Sequence, residues 1–291
     1  MRLAEIKQIL EANQLRLTRS LGQNFLHDNN QLRRIADAAE LRIGDSVLEI
    51  GPGLGTLTRV LLDRGAKVQA IEIDHRLCRL LEKLFRQSDA LTLIHGDALE
   101  HLREPETDWT EWKLVSNLPY SVASPLLVQV AQASGSPERM VATVQLEVAR
   151  RLMASAGSKD YGVLTLLIQL HYEVRGWFKI PASCFFPVPN VDSACVTLVR
   201  RSEALLAREF ADQFGRMVKR GFSQRRKMMA KLLKEDWPAD RIASAYAAVR
   251  LPPEVRAEQV SLEQFVQLTR LLHGAASSSH PLPARHERGE D

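Results

Sequence analysis

Asn117-Leu118-Pro119-Tyr120 gathers a side-chain amide, a proline-fixed turn and an aromatic ring within four residues. The Asn117 side-chain oxygen accepts a hydrogen bond, and a backbone carbonyl beside Pro119 accepts another because proline fixes φ in that turn. Tyr120 offers a flat face for a base turned out of its stack. Such a set can take up the hydrogens of an exocyclic amino group. The nitrogen of that group is a poor nucleophile, since its lone pair is delocalised into the ring. Acceptors for its hydrogens let it pyramidalise and turn the lone pair toward an electrophile. No strong general base is required, because the proton can leave after the new bond has formed, and positioning supplies most of the rate. The plainer alternative is a polar loop closing a strand.

A second group of residues could hold the electrophile. Val47 to Ile50 reads as a strand, Gly51-Pro52-Gly53-Leu54-Gly55 follows at once, and Thr56 to Asp63 reads as a helix. Glycines allow a tight turn and close approach to a ligand, while the helix start supplies unpaired N–H groups. Glu72, twenty-one positions after Gly51, ends the next strand, where a carboxylate can accept from both hydroxyls of a ribose. These features fit a nicotinamide dehydrogenase as well as a methyltransferase, because each holds an adenosine. Asp97, in His95-Gly96-Asp97, closes a third strand with an acceptor for an adenine amino group. The Asn117 motif then favours methyl transfer to adenine N6, with S-adenosyl-L-methionine as the donor.

The elements that must position these groups alternate. Short apolar, β-branched runs at Val47–Ile50, Lys67–Ile73, Leu91–Ile94 and Lys113–Ser116 are mostly separated by helical stretches, which predicts a parallel, helix-flanked sheet. Met140–Leu146 reads as a fifth strand, Glu147–Ala154 as a helix, and Glu173–Ile180 and Ser193–Val199 as further strands. Between these last two, Pro181 to Pro189 carries three prolines and reads as a shaped loop. Residues 1–46 read as helices around a turn at Leu21-Gly22-Gln23-Asn24. From about Glu203 the texture is helical, with breaks near Gly221 and at Leu251-Pro252-Pro253. The expected domains are 1–201, a catalytic domain with N-terminal helices, and 202–273, a helical RNA- or ribosome-binding domain. Residues 274–291, polar and rich in breakers, are expected to form a disordered tail.

Composition sets the outer bounds. A 291-residue chain that is 45% hydrophobic and 25% charged can bury a sizeable core. No apolar run approaches the roughly 18 to 20 residues that cross a bilayer, so no membrane is expected and the cytoplasm is the default. The three cysteines, Cys78, Cys184 and Cys195, have neither CxxC spacing nor histidine partners, so no metal site is expected. A net charge of +4 permits an anionic partner without demanding one. Between Arg216 and Lys234 eight cations occur with no acid, while apolar residues from Phe214 to Leu233 recur at helical spacing. One face therefore packs and the other is cationic. Such a face suits a phosphate backbone and is otherwise a solvated surface.

Read together, Leu21–Leu26, Val47–Gly55, Glu72–Asp74, Gly96–Leu99, Asn117–Tyr120, Gly157–Gly162, Phe185–Ser193 and Phe222–Lys227 resemble the ribosomal RNA adenine dimethyltransferase family, most closely its bacterial small-subunit branch. The resemblance runs from about Leu17 to Leu233. It implies an α/β fold, a Rossmann-like S-adenosylmethionine-dependent methyltransferase sheet with a small all-helical C-terminal domain. It also implies residue roles: Asn24 and Leu26 contact the cofactor from the N-terminal segment, and Gly51, with Gly53 in the same glycine loop, contacts its methionine side. Glu72 holds the ribose and Asp97 the adenine. Asn117, with Leu118 and Pro119, stands between cofactor and target, and Tyr120 and Phe185 sandwich the base. Arg220, Arg225, Arg226 and Lys227 are assigned to RNA.

The implied substrate is the 3′-terminal hairpin of 16S ribosomal RNA within the small ribosomal subunit, where two adjacent adenosines are dimethylated by a monomer taking part in subunit biogenesis. Large-subunit resistance methylases and a non-catalytic assembly factor remain the competing readings. Leu146 and Ser121 depart from the family, which often has lysine and asparagine there, and His101 to Trp112 is longer than usual.

Overall fold

The computed structural model describes residues 3–15, 17, 22–103 and 108–273. Leu21 and the tail at 274–291, both given expectations above, lie outside the described residues. The chain divides into two compact units, one running to Ser155 and resuming over Asp160–Ala204, the other made of Ala156–Lys159 and the chain from Leu205 onward.

In the first unit, helix α1 (Leu3–Ala12), a two-residue strand β1 (Phe25–Leu26) and helix α2 (Asn29–Ala38) precede the main sheet. Asp28 starts α2 by accepting from the N–H groups of Asn30 and Gln31, each at 2.9 Å. Then follow β2 (Ser46–Ile50), α3 (Thr56–Asp63), β3 (Lys67–Glu72), α4 (His75–Leu84), β4 (Leu91–His95), α5 (Ala98–His101), β5 (Lys113–Asn117), α6 (Ala123–Gln132) and β6 (Arg139–Gln145). The remaining elements are α7 (Leu146–Met153), α8 (Val163–Gln169), β7 (Tyr172–Ile180), β8 (Phe185–Phe186) and β9 (Ser193–Arg200).

The seven-stranded sheet has the order β4-β3-β2-β5-β6-β9-β7. Its first five strands are parallel, as their alternation with helices requires, and β9 lies antiparallel between β6 and β7. Pro181 to Asp192 contains no crossover helix, only a 3-10 turn at Ala182–Cys184 and β8, so β9 returns beside β7 in the opposite sense. Strand β8 leaves the main sheet and pairs with β1, Leu26 opposite Phe185. Nothing in the local pattern around Phe25 predicted that strand.

Both faces of the sheet's centre are covered, so β2, β5, β6 and β9 are buried almost throughout, while the edge strands β4 and β7 are partly exposed. Leu48, Ile50, Leu114, Met140, Ala142 and Val144 pack with Leu126, Leu127 and Val130 of α6. Their neighbours Val47, Val115 and Val141 turn to the other side and meet Leu32 and Ile35 of α2 and Leu57 and Leu61 of α3. Leu146 begins α7 rather than ending β6, with its N–H on the Asp192 carbonyl at 3.0 Å.

The long stretch before β5 is structural where it is described. Trp109 is 3% exposed and sits edge-on to Trp112 with ring centroids 4.7 Å apart, and both belong to the α6 face of the core. Residues 104–107 lie outside the described set.

The second unit contains α9 (Ala211–Phe222), α10 (Met229–Leu233), α11 (Ala239–Ala248) and α12 (Leu262–His273), and no strand occurs among its described residues. Phe214, Met217, Val218, Met229, Leu233 and Phe265 are fully buried. The break expected near Gly221 is found here. Helix α9 stops at Phe222 and α10 starts at Met229, so Arg225, Arg226 and Lys227 stand exposed on the turn between them.

Candidate active site

Strands β2 and β5 pair only through Val47–Lys113 and Leu48–Leu114. Beyond that they part, because the chain proceeds from β2 to β3 and β4 on one side and from β5 to β6 on the other. An open α/β sheet binds ligands at such a reversal. Ser116 ties the two strands there, its hydroxyl donating to the Ile50 carbonyl at 2.5 Å and accepting from the Ile50 N–H at 3.3 Å. Above it lies a cavity lined by Gly22 to Leu26, Gly51 to Gly53, Glu72, Asp97 and Asn117 to Val122, among others.

The structure therefore brings Asn24, Leu26, Gly51, Gly53, Glu72, Asp97, Asn117, Leu118, Pro119 and Tyr120 around one space. Gly51 has φ +68°, and a Cβ there would stand 3.2 Å from Pro119 Cγ, so glycine lets the two loops close on each other. Glu72 has a second task that its spacing did not disclose. Its two carboxylate oxygens accept from the N–H groups of Gly53 and Asp74, both at 3.0 Å, pinning the glycine loop to the end of β3. Burial pushes its carboxyl above the ordinary range, and those two backbone bonds offset the rise only in part. Asp97 caps α5, accepting from the Leu99 N–H at 2.8 Å.

Glu49, in the same lining, was not singled out in the sequence. It is 2% exposed, and its carboxylate accepts from the Thr58 hydroxyl at 2.7 Å. Burial drives its carboxyl up to about 8, with the charge of Glu72 adding to the rise and the Thr58 bond opposing it. Asp74 shows the reverse case. The Arg76 guanidinium, bonded to it at 2.9 and 2.6 Å, holds its carboxyl down at about 2. Gln23 Nε2 donates to the same carboxylate at 3.1 Å and so ties the N-terminal segment to β3.

Asn117 ends β5, opposite Thr143 of β6. Its Nδ2 donates to the Asn24 carbonyl at 3.0 Å, which turns Oδ1 away, and Oδ1 is buried without a hydrogen-bond partner among the described residues. The next residues are fixed by backbone bonds, the Leu118 N–H on the Thr143 carbonyl and the Val122 N–H on the Pro119 carbonyl, both at 3.1 Å. Tyr120 stands at the wall, its hydroxyl 2.6 Å from Ser193 Oγ. Ser121 also lines the cavity, so its departure from the family pattern falls at the site rather than at a remote loop.

Phe185 is placed otherwise. It is 1% exposed and packs in the core with Leu26, Val141 and Cys195, apart from the cavity lining. The proline-rich segment holds it there by pairing Phe185 with Leu26 across β8 and β1. In this structure only Tyr120 of the two expected aromatic faces is at the cavity.

The four cations assigned to RNA also divide. Arg220 is already matched, its Nε donating to Asp236 at 2.7 Å and Nη1 to Glu235. The acids that end the basic run fold back onto it. Arg225 donates to the Lys159 carbonyl at 3.1 Å and lies 3.6 Å from Glu258, while Arg226 and Lys227 are exposed beside it. Among the described residues no cluster of His, Cys, Asp or Glu could hold a metal ion, and no helix is long and apolar enough to cross a membrane.

A largely parallel sheet with a glycine loop, a strand-end carboxylate and an oriented Asn-Leu-Pro-Tyr turn at its reversal point defines a Rossmann-like methyltransferase. The ribosomal RNA adenine dimethylase model matches residues 14–273, and the chain belongs to that family. Relatives called ribosomal RNA small subunit methyltransferase A are 36% identical in Natranaerobius thermophilus, covering 92% of this chain and 96% of the relative, and 38% identical in Geobacter metallireducens, covering 89% and 96%. Among solved structures, a dimethyladenosine transferase from Plasmodium falciparum is 25% identical with a TM-score of 0.71, covering 84% of this chain and 95% of that one. The 23S rRNA methyltransferase ErmE is 31% identical with a TM-score of 0.65, covering 85% and 99%. Family membership removes the dehydrogenase alternative.

Proposed function

We propose that this enzyme transfers methyl groups from S-adenosyl-L-methionine to N6 of two adjacent adenosines in the 3′-terminal hairpin of 16S ribosomal RNA, forming N6,N6-dimethyladenosine during small-subunit biogenesis in the cytoplasm. The observation that carries the reading is Asn117 Oδ1, a buried acceptor at the cavity that has no partner among the described residues, its amide oriented by Asn24. An unpaired buried acceptor is costly unless a ligand completes it, and an adenine amino group does so.

The lining also fits the cofactor. Glu72 retains lone pairs for ribose hydroxyls, and Asp97 can accept from the adenine amino group. When bound, S-adenosyl-L-methionine supplies an electrophilic methyl on sulfur. Asn24, Leu26, Gly51 and Gly53 shape its seat. Asn117 Oδ1 and a carbonyl beside Pro119 take the hydrogens of the target amino group, so that its lone pair points at the methyl. Tyr120 supplies the stacking face. For Phe185 to share in that role its ring must leave the core.

Arg226 and Lys227, with Arg225, offer the exposed charge for the RNA backbone, and the protein acts as a monomer on the small subunit. The likeness to ErmE supports a second reading, methylation of large-subunit RNA. Incubation with unmethylated small and large subunits and labelled cofactor separates the two: label in small-subunit RNA is expected, and label confined to large-subunit RNA would favour the alternative.

A further inference from the structure

Ser193 is fully buried, and its backbone is paired on both sides, opposite Gln145 of β6 and Ile180 of β7. Its hydroxyl is therefore presented from inside a ladder rather than from a loop. Asp192, just before it, adds two ties. Its carbonyl accepts from the Leu146 N–H at 3.0 Å and its carboxylate from the Ala182 N–H at 2.9 Å. Tyr120 lies on a turn outside the strands, and its hydroxyl shares the 2.6 Å bond with Ser193. An aromatic side chain on a turn can swing between χ1 wells, and a bond at its far end to a fixed sheet position removes that freedom.

We propose that Ser193 is a positioning residue for methyl transfer, holding the Tyr120 ring in the plane against which the target adenine stacks. The proposal rests on the reading of the cavity as the adenine site. With Phe185 in the core, Tyr120 alone of the two expected rings meets the cavity, so its placement decides how the base plane faces Asn117 Oδ1. The bond serves geometry and not proton transfer. Burial raises the Tyr120 phenol above its ordinary value, only partly offset by Ser193, so the phenol keeps its proton. The link also gives Ser193, at the end of the proline-rich segment, a task that its position in the sequence alone does not reveal.

Tyr120→Phe and Ser193→Ala remove the same bond from opposite ends, and the double variant tells whether they act as one unit. Three quantities are read: kcat and KM on unmethylated small subunits, calorimetric cofactor affinity, and fluorescence of a small-subunit hairpin RNA carrying 2-aminopurine at the target adenosine. Each single variant is expected to lower kcat by about tenfold, the scale of one hydrogen bond. Each should also weaken the quenching of 2-aminopurine and leave cofactor affinity unchanged, and the double variant should do no worse than either single.

Losses that multiply in the double variant, or a Ser193→Ala enzyme with wild-type kcat and quenching, would overturn the proposal. If Ser193→Ala does not fold, Tyr120→Phe decides, since it keeps the ring and its volume, and unchanged kcat and quenching in it have the same meaning. A wild-type protein that neither methylates the subunits nor quenches the probe overturns the site reading together with the proposal. A competent wild type whose variants act independently overturns the proposal alone.

Discussion

Asn117 Nδ2 donates to the main-chain carbonyl of Asn24 at 3.0 Å, and this one bond decides which end of the Asn117 amide faces the cavity. The nitrogen is taken by the N-terminal segment, so the oxygen is left for a donor. That segment is itself fastened to β3 through Gln23 and Asp74. The acceptor proposed for the target amino group is thus set by a stretch of chain that lines the same cavity.

Asn117→Ala removes that acceptor while leaving the strand intact. Methylation should fall roughly a hundredfold or more, the scale seen when one preorganised polar group at a reacting centre is lost. Cofactor affinity by calorimetry should change far less than kcat. A variant that retained full transfer would remove Asn117 from the reaction.

Glu72→Gln tests the strand-end carboxylate. A glutamine has one acceptor oxygen, so either the Gly53 or the Asp74 N–H loses its partner as the ribose contact weakens. Cofactor affinity should drop by about tenfold or more, with the loss visible in titrations without RNA. An unchanged affinity would place the ribose elsewhere.

The carboxyl of Glu49, raised to about 8 against an ordinary 4.5, has a definite effect on stability. Below pH 4.5 it is protonated in both the folded and unfolded chain and costs nothing. As pH rises from 4.5 toward 8 the unfolded chain releases the proton while the folded chain keeps it, so stability is lost through that window. Glu49→Gln keeps an acceptor for Thr58 and removes the titration. Its advantage over the wild type in denaturant unfolding should grow from pH 5 to pH 8 by an amount on the order of a few kcal/mol. An advantage independent of pH would mean that Glu49 is ionised in the fold.

The exposed cations of the α9–α10 turn should act through the RNA backbone. Arg226→Ala and Lys227→Ala are each expected to reduce the slope of log affinity against log salt by about 1. Arg220→Ala should reduce it less, because Glu235 and Asp236 already match its charge. Equal slopes in all three variants would contradict the distinction.

The parts of this fold that repeat were readable in the sequence. Short apolar, β-branched runs alternating with helices yielded the parallel part of the sheet, and Thr56–Asp63 was expected as a helix and is one. Glycines and carboxylates at strand ends were legible because chain reversal places strand ends together. Features made by long-range pairing were not. Strand β1 exists through its partner β8, Phe185 is buried by that same pairing, and Ser193 matters through a side chain far from it in the chain. The tryptophans before β5 carry no chemical signal, only the fit of Trp109 under α6. The cationic run looked like one helix face because apolar spacing continues across a turn, and its local charge count could not register acids that fold back from Glu235 and Asp236.

The central claim is tested most directly by mass spectrometry of nucleosides from small subunits that lack the modification, after incubation with the protein and S-adenosyl-L-methionine. N6,N6-dimethyladenosine should appear in 16S ribosomal RNA with the wild-type chain and be lost with Asn117→Ala. Methylation confined to large-subunit RNA, or to a base other than adenine, would contradict the account.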